Sequence, residues 1–348
     1  VTLDGAHPVA AEAIWLPELR LVLESRDLDA VQVPATVGEL LAYSNPADPF
    51  ALHKASLALY GLTPAAVDPA TPVAELLRPL GRGLRLTTMS NVPRGSGLGT
   101  SSVLAGVVLA CLRVLFGSEP PDWRQADAWP GLFDDVLCVE QMMTTGGGWQ
   151  DQVGGLTSGI KLVTTMPGLP QRIDVSPLIL SPATADALRQ RLLLVYTGQQ
   201  RLAKNLLRQV MRRWMLRDPE MGWILDEIGR LALEMHAALG AGDLDAFGAL
   251  MGEHWALNKR MHTGCTNPFI DNLFERMAPY INGGKLAGAG GGGFAIVLAR
   301  DARAADDLST LLEAQYPGAQ VTVWPGVIAG AGLTVSRFTL NHPAGAGG

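Results

Sequence analysis

Residues 91–106 read NVPRGSGLGTSSVLAG, with glycine at 95, 97 and 99 and three hydroxyls, Thr100, Ser101 and Ser102, just ahead of an apolar run. Missing side chains at alternate positions let a ligand come close to the main chain. The stretch before them, RGLRLTTMS, alternates as a strand, and the stretch after them has helical spacing from about Ser101 to Phe116. A helix start leaves N–H groups unpaired and presents the positive end of the dipole. The order strand, glycine loop, helix therefore makes an anion site, and phosphate is the fitting anion. Ser96 and Leu98 lie between the glycines, so the candidate cradle is Gly95, Ser96, Gly97, Leu98, Gly99, Thr100, Ser101 and Ser102.

Two familiar phosphate signatures are excluded. Gly99 is followed by Thr100-Ser101 with no lysine, so this is no G-x-x-x-x-G-K-[ST] loop. A literal G-x-G-x-x-G occurs at Gly288, Gly290 and Gly293, but the strand FAIVLAR follows it where a dinucleotide fingerprint needs a helix. The candidate acid pair is Glu140, late in the predicted helix FDDVLCVEQMMTT, and Asp151, just after the Gly146-Gly147-Gly148 break; either acid alone reads as a solvated helix residue or cap, and Asp151, between two glycine runs, is the less ordinary of the two. Phosphoryl transfer needs a phosphate cradle, oxygen ligands for Mg²⁺, and a group that orients or deprotonates the attacking hydroxyl. Separate segments of this sequence can supply each one.

Behind these residues stands a chain of 348 residues, 48% hydrophobic, long enough for one large domain or two packed ones. A net charge of −6 gives no basic field for nucleic acid or an anionic membrane, so the expected partner is a small molecule. Cys111, Cys138 and Cys265 are far apart with no C-x-x-C pair, which fits reduced thiols and a cytoplasmic location. The longest apolar run, SSVLAGVVLACLRVLFG, is short for a membrane span and carries Arg113, and it is read as a buried helix. EAIWLPELRLVLES reads as one or two strands, PFALHKASLALYG as a helix, and GIKLVTT and RLLLVYTG as strands. A boundary is expected near 180–190 in SPLILSPATADALRQ, and residues 202–262 are almost wholly helical by pattern. NGGKLAGAGGGG reads as a glycine-rich turn, followed by the strand FAIVLAR, the helix ADDLSTLLEAQY, the strand AQVTVWP and a disordered tail over 341–348.

PRGSGLGTSS, GGGWQDQVGG and LAGAGGGGF, in that order, resemble the three motifs of the GHMP small-molecule kinases. TTGGGWQDQVGGLTSGIK followed by LLLVYTGQQRLAKNLL is most similar to their fucokinase branch, while the heptose phosphate kinases share a looser pattern. The resemblance implies an α+β fold with a ribosomal-S5-like N-terminal half over 1–185 and a ferredoxin-like C-terminal half over 186–340. It implies ATP and Mg²⁺ as cofactors and phosphorylation of the anomeric hydroxyl of L-fucose. It makes Gly95 to Ser102 the ATP phosphate loop, Ser101 and Glu140 the Mg²⁺ ligands, and Asp151 the acid that orients or deprotonates the sugar hydroxyl. Gly288, Gly290, Gly291, Gly292 and Gly293 become a third motif beside the substrate.

Other residues stay open between two roles. Arg201 and Lys204 either reach the phosphates or lie on a solvated helix face, and Trp149 either stacks on the sugar or packs in the core. His254 and His262 have no third ligand nearby and are not expected to hold metal; Lys285 is read as capping a turn. The family's first motif, an SGGWSDTPP-like phrase with a sugar-binding loop, is absent from these residues, so the first sheet is expected to lack strands. An inactive fragment that binds nucleotide, and a heptose phosphate kinase, are the competing expectations.

Overall fold

A computed structural model describes residues 8–45, 47–62, 67–93, 95–118, 129–168, 171–199, 204–318 and 320–338. Arg201 and the tail over 341–348 lie outside the described residues, as does the side chain of Lys204.

The chain opens with β1 (Val9–Leu16), β2 (Leu21–Ser25) and β3 (Ala30–Gln32), then the helices α1 (Val37–Leu40), α2 (Ala51–Leu59) and α3 (Val73–Leu77). Next come β4 (Gly83–Ser90), α4 (Thr100–Leu115), α5 (Pro130–Met142) and α6 (Gln150–Leu156). The four strands form one sheet in the order β1-β4-β2-β3, with β4 antiparallel to β1 and parallel to β2. Leu84 and Leu86 of β4 and Leu21 and Leu23 of β2 face a core that includes Leu109 and Leu112 of α4, Leu132 and Val136 of α5, and Val153 and Leu156 of α6. The apolar run is thus a buried helix, as its composition predicts, and no helix among the described residues is long and apolar enough to cross a membrane.

A hairpin of β5 (Ile160–Met166) and β6 (Arg172–Leu178) leads into α7 (Pro182–Arg191) and β7 (Leu192–Tyr196). The helices α8 (Lys204–Met215), α9 (Pro219–Ala241), α10 (Leu244–Met261) and α11 (Pro268–Met277) follow, then β8 (Ile281–Leu286), β9 (Phe294–Ala299), α12 (Ala302–Gln315) and β10 (Thr322–Pro325). This second sheet is antiparallel, in the order β10-β7-β9-β8. One of its faces packs on α11 and α12 through Ile270, Leu273, Leu308 and Leu312. Residues 326–338 return to the first layer, where Leu333 N donates to Leu156 O at 2.7 Å.

One local reading needs correction, and two other stretches gain definition. Part of the expected turn NGGKLAGAGGGG is the strand β8, paired with β9, and position 283 is glycine because a Cβ there would stand 1.8 Å from Gly248 O on α10. Glycine at that position serves close helix packing as well as flexibility. The stretch SPLILSPATADALRQ, where a boundary is expected, holds the end of β6 and most of α7, which starts on a Ser181 cap accepting from Thr184 N at 3.1 Å. Asp151 follows the Gly146-Gly147-Gly148 break, as its sequence indicates, and sits in the first turn of the seven-residue helix α6.

Candidate active site

The glycine loop adopts the conformation its composition allows. Gly95, Gly97 and Gly99 have φ of 69°, 76° and 68°, a left-handed region costly for other residues. Gly99 is the N-cap of α4 and offers no capping side chain, and the first main-chain bond into the helix is Val103 N to Gly99 O at 3.0 Å. The N–H groups of Thr100, Ser101 and Ser102 are therefore left for a ligand. Within the loop, Leu98 N donates to Ser96 Oγ at 3.3 Å, and Ser96 Oγ lies 3.3 Å from Thr100 Oγ1.

The third glycine motif is bonded to this loop. Phe294 N donates to Ser96 O at 2.9 Å, and Ala287 N donates to Phe294 O at 2.8 Å. Side chains at these contacts are sterically forbidden: a Cβ on Gly293 would lie 2.2 Å from Ser96 O, and one on Gly97 would lie 2.6 Å from Ala287 O. Gly288 stands against Gly97, Gly290 against Cys265 O and Gly292 against Gln199 O, while Gly291 N donates to Cys265 O at 2.5 Å.

The two carboxylates reach the same loop by different routes. Glu140 is buried in the last turns of α5, and its Oε1 accepts from Ser102 Oγ at 2.9 Å. Thr145 Oγ1 donates to Glu140 Oε2 and, at 2.9 Å, to Glu140 O, so the TTGGG turn folds back over the acid. Asp151 is carried by α6, which packs closely on α4: Gly106 accommodates Leu156, and Gly155 accommodates Val103. This contact presses Asp151 against Gly99. One side of the Asp151 residue stays exposed, yet protein crowds its carboxyl enough to raise the pKa, burial being the larger cause and the Glu140 charge the smaller.

The donor set suits Mg²⁺. Glu140 is a buried carboxylate whose side-chain partners among the described residues are neutral hydroxyls and no cation. Ser101 stands on the exposed side of the helix start. Few protein oxygens are needed, because Mg²⁺ keeps waters and is otherwise bound by substrate phosphates. The hydroxyl that meets Glu140 is Ser102, whereas the motif singles out Ser101; the helix turns Ser102 inward toward α5 and Ser101 outward toward the loop opening.

Of the open residues, Trp149 packs against the first core. His262 Nδ1 accepts from Gly264 N at 2.9 Å and caps a short turn. Lys285 caps no turn: it lies inside β8. Thr145 and the glycine pair Gly106 and Gly155 were missed as site-builders, although the TT before GGG and the paired small residues were visible signals.

This geometry has counterparts. The family model "GHMP kinases N terminal domain" matches residues 69–159, and "GHMP kinases C terminal" matches 235–318. Together they cover half of the chain and take in both glycine loops and both carboxylates. The chain belongs to the GHMP kinase family. Among curated relatives, this GHMP kinase is 37% identical over 323 residues to a bifunctional fucokinase/GDP-fucose pyrophosphorylase of Arabidopsis thaliana, a match covering 90% of this chain and 28% of that protein. It is 33% identical over 339 residues to an L-fucokinase/L-fucose-1-P guanylyltransferase of Bacteroides fragilis, covering 97% of this chain and 35% of that one. The chain thus spans about a third or less of the length of these relatives. Its fold is similar to that of Lactococcus lactis galactokinase, with TM-score 0.65 and 16% identity over 93% of this chain and 86% of the other. The α+β architecture is therefore that of the GHMP fold.

Proposed function

We propose that the chain is an ATP-dependent sugar kinase that phosphorylates the anomeric hydroxyl of L-fucose to give fucose 1-phosphate. The observation that carries this reading is the meeting of Asp151 with Gly99 at the mouth of an uncapped helix start, which puts an acid beside an anion cradle. Identity with the two fucokinase-containing relatives supports the choice of sugar.

The loop from Gly95 to Ser102 binds the triphosphate through main-chain N–H groups and the α4 dipole. Glu140 and Ser101 would hold Mg²⁺, and Ser102 and Thr145 fix the Glu140 carboxylate by hydrogen bonds. When bound, the ion supplies charge neutralisation at the phosphates. Asp151 accepts a hydrogen bond from the sugar hydroxyl and takes up its proton as the oxygen attacks; the raised pKa makes its carboxylate a stronger base than a free aspartate. Positioning and electrostatic stabilisation provide most of the rate.

The test is ADP release from Mg-ATP with L-fucose, using Asp151→Asn as control. Fucose-dependent turnover that disappears in the variant establishes the reaction and the role of Asp151. Nucleotide binding with no turnover on any sugar overturns the kinase reading in favour of a chain that only binds nucleotide.

A further inference from the structure

Lys285 lies in β8 next to Leu286, and strand alternation sends its side chain to the face opposite the core that seals Leu286. α10 covers that opposite face: Gly248 stands against Asn282 and Gly283, and Gly252 against Gly283. Strand and helix therefore run side by side in one direction. Two residues further along the strand, about 7 Å, bring Lys285 level with the turn that carries His254. Ala287, which shares the Lys285 side of the strand, contacts the position of Gly97 in the phosphate loop. Lys285 thus stands one pleat repeat from the residue that meets that loop.

Neither base has a side-chain partner among the described residues. Lys285 makes no hydrogen bond or ion pair among the described residues, and His254 Nδ1 is buried with nothing to bond. Burial holds Lys285 down to about 8. Burial and, second, the Lys285 charge hold His254 to about 4. No carboxylate of the described residues acts on either one. At neutral pH the arrangement is an ammonium beside a neutral imidazole, crowded by protein and uncompensated. Buried charge is ordinarily paired, so an anion brought here gains both charge and donors.

We propose that Lys285 and His254 line a subsite between β8 and α10 that binds the phosphate of a phosphate monoester, namely a phosphorylated sugar, next to the nucleotide loop. Lys285 Nζ contributes charge and donors, and the imidazole contributes one N–H. Neutral fucose carries no group for such a site, so the subsite lets the protein hold phosphorylated sugars differently from the free sugar. The sugar half of this inference rests on the sugar-kinase reading; the phosphate half rests on the two residues alone.

The experiment is an NMR titration of the full chain with inorganic phosphate, with the nucleotide loop filled by Mg-ADP, reading Lys285 Cε and the His254 ring. Saturable shifts at both are expected, together with an upward move of the Lys285 pKa. Lys285→Met should weaken the phosphate Kd about tenfold or more, and Lys285→Arg should retain it. His254→Phe provides the second variant, with weaker phosphate binding expected, should Lys285→Met fail to fold. Unchanged phosphate affinity in the variants, or a response confined to residues 95–102, overturns the proposal. The titration needs no turnover, so failure of the fucose assay would sink the kinase reading and leave this result standing.

Discussion

A Cβ placed on Gly99 would stand 2.6 Å from Asp151 Cβ and 2.7 Å from its Cγ. The last glycine of the loop is therefore shaped by the acid as much as by a ligand. Gly99→Ala meets this contact and the left-handed backbone together, the latter alone costing about 1–2 kcal/mol. Urea unfolding should show that loss, and kcat with fucose should fall about a hundredfold through displacement of Asp151.

Gly155 tests the same acid without backbone strain, because its φ is not positive. A Cβ there would lie 2.2 Å from Val103 Cγ2, and Val103 is β-branched and stiff in a helix, so Gly155→Ala is expected to shift α6 on α4. The expected result is a lower kcat with little change in KM for ATP. Adding Val103→Ala should restore kcat; a double variant as slow as the single one would show that α6 packing does not place Asp151.

The acid limb of the pH profile should report Asp151. Its pKa lies above the ordinary 3.8, so kcat/KM falls as pH drops through that raised value. Removing the neighbouring charge with Glu140→Gln takes away the smaller of the two causes. The Asp151 carboxyl resonance in that variant should titrate at lower pH, yet remain above the ordinary value because burial persists.

How much of this was legible beforehand follows from the range of each interaction. The strand, glycine loop and helix around 83–115 are written in local alternation and turn chemistry, and they stand where the pattern puts them. The motif order also pointed to Glu140 and Asp151. Illegible were the contacts between distant segments: Gly283 against Gly248, which requires glycine within a strand, and Gly155 against Val103, which sets where α6 carries Asp151. No periodicity records which backbone a missing Cβ will admit. Likewise, Ser102 and Ser101 differ only by the face of α4 on which they fall, and that face is fixed by where α5 packs.

A prediction on stability concerns His53, which is buried with Nε2 3.0 Å from Thr88 Oγ1 and Nδ1 unpartnered. Burial holds its pKa to about 4 against 6.5 in an unfolded chain. Between those values the unfolded state binds a proton that the folded state refuses. Stability contributed by the neutral ring is therefore complete above about 6.5, declines as pH falls toward 4, and changes no further below it, a total of ~3 kcal/mol. Denaturant midpoints measured from pH 7 to 4 should show this slope, and His53→Gln should flatten it.

Ser102→Ala should destabilise the fold by about 1–3 kcal/mol, since it strips a donor from a buried carboxylate. Mg²⁺-dependent nucleotide affinity, measured by calorimetry, should fall in the same variant. An unchanged affinity would mean that Thr145 alone orients Glu140.

The bond from Phe294 N to Ser96 O joins a loop made early in the chain to a strand made late. Such distant closures carry a large entropic cost and form after local structure. During synthesis the first sheet and α4 can assemble while the loop from Gly95 to Gly99 still lacks its backbone partner. Nucleotide affinity should therefore arrive only once β9 has left the ribosome, and a truncated nascent chain would carry the signature residues without the pocket they belong to.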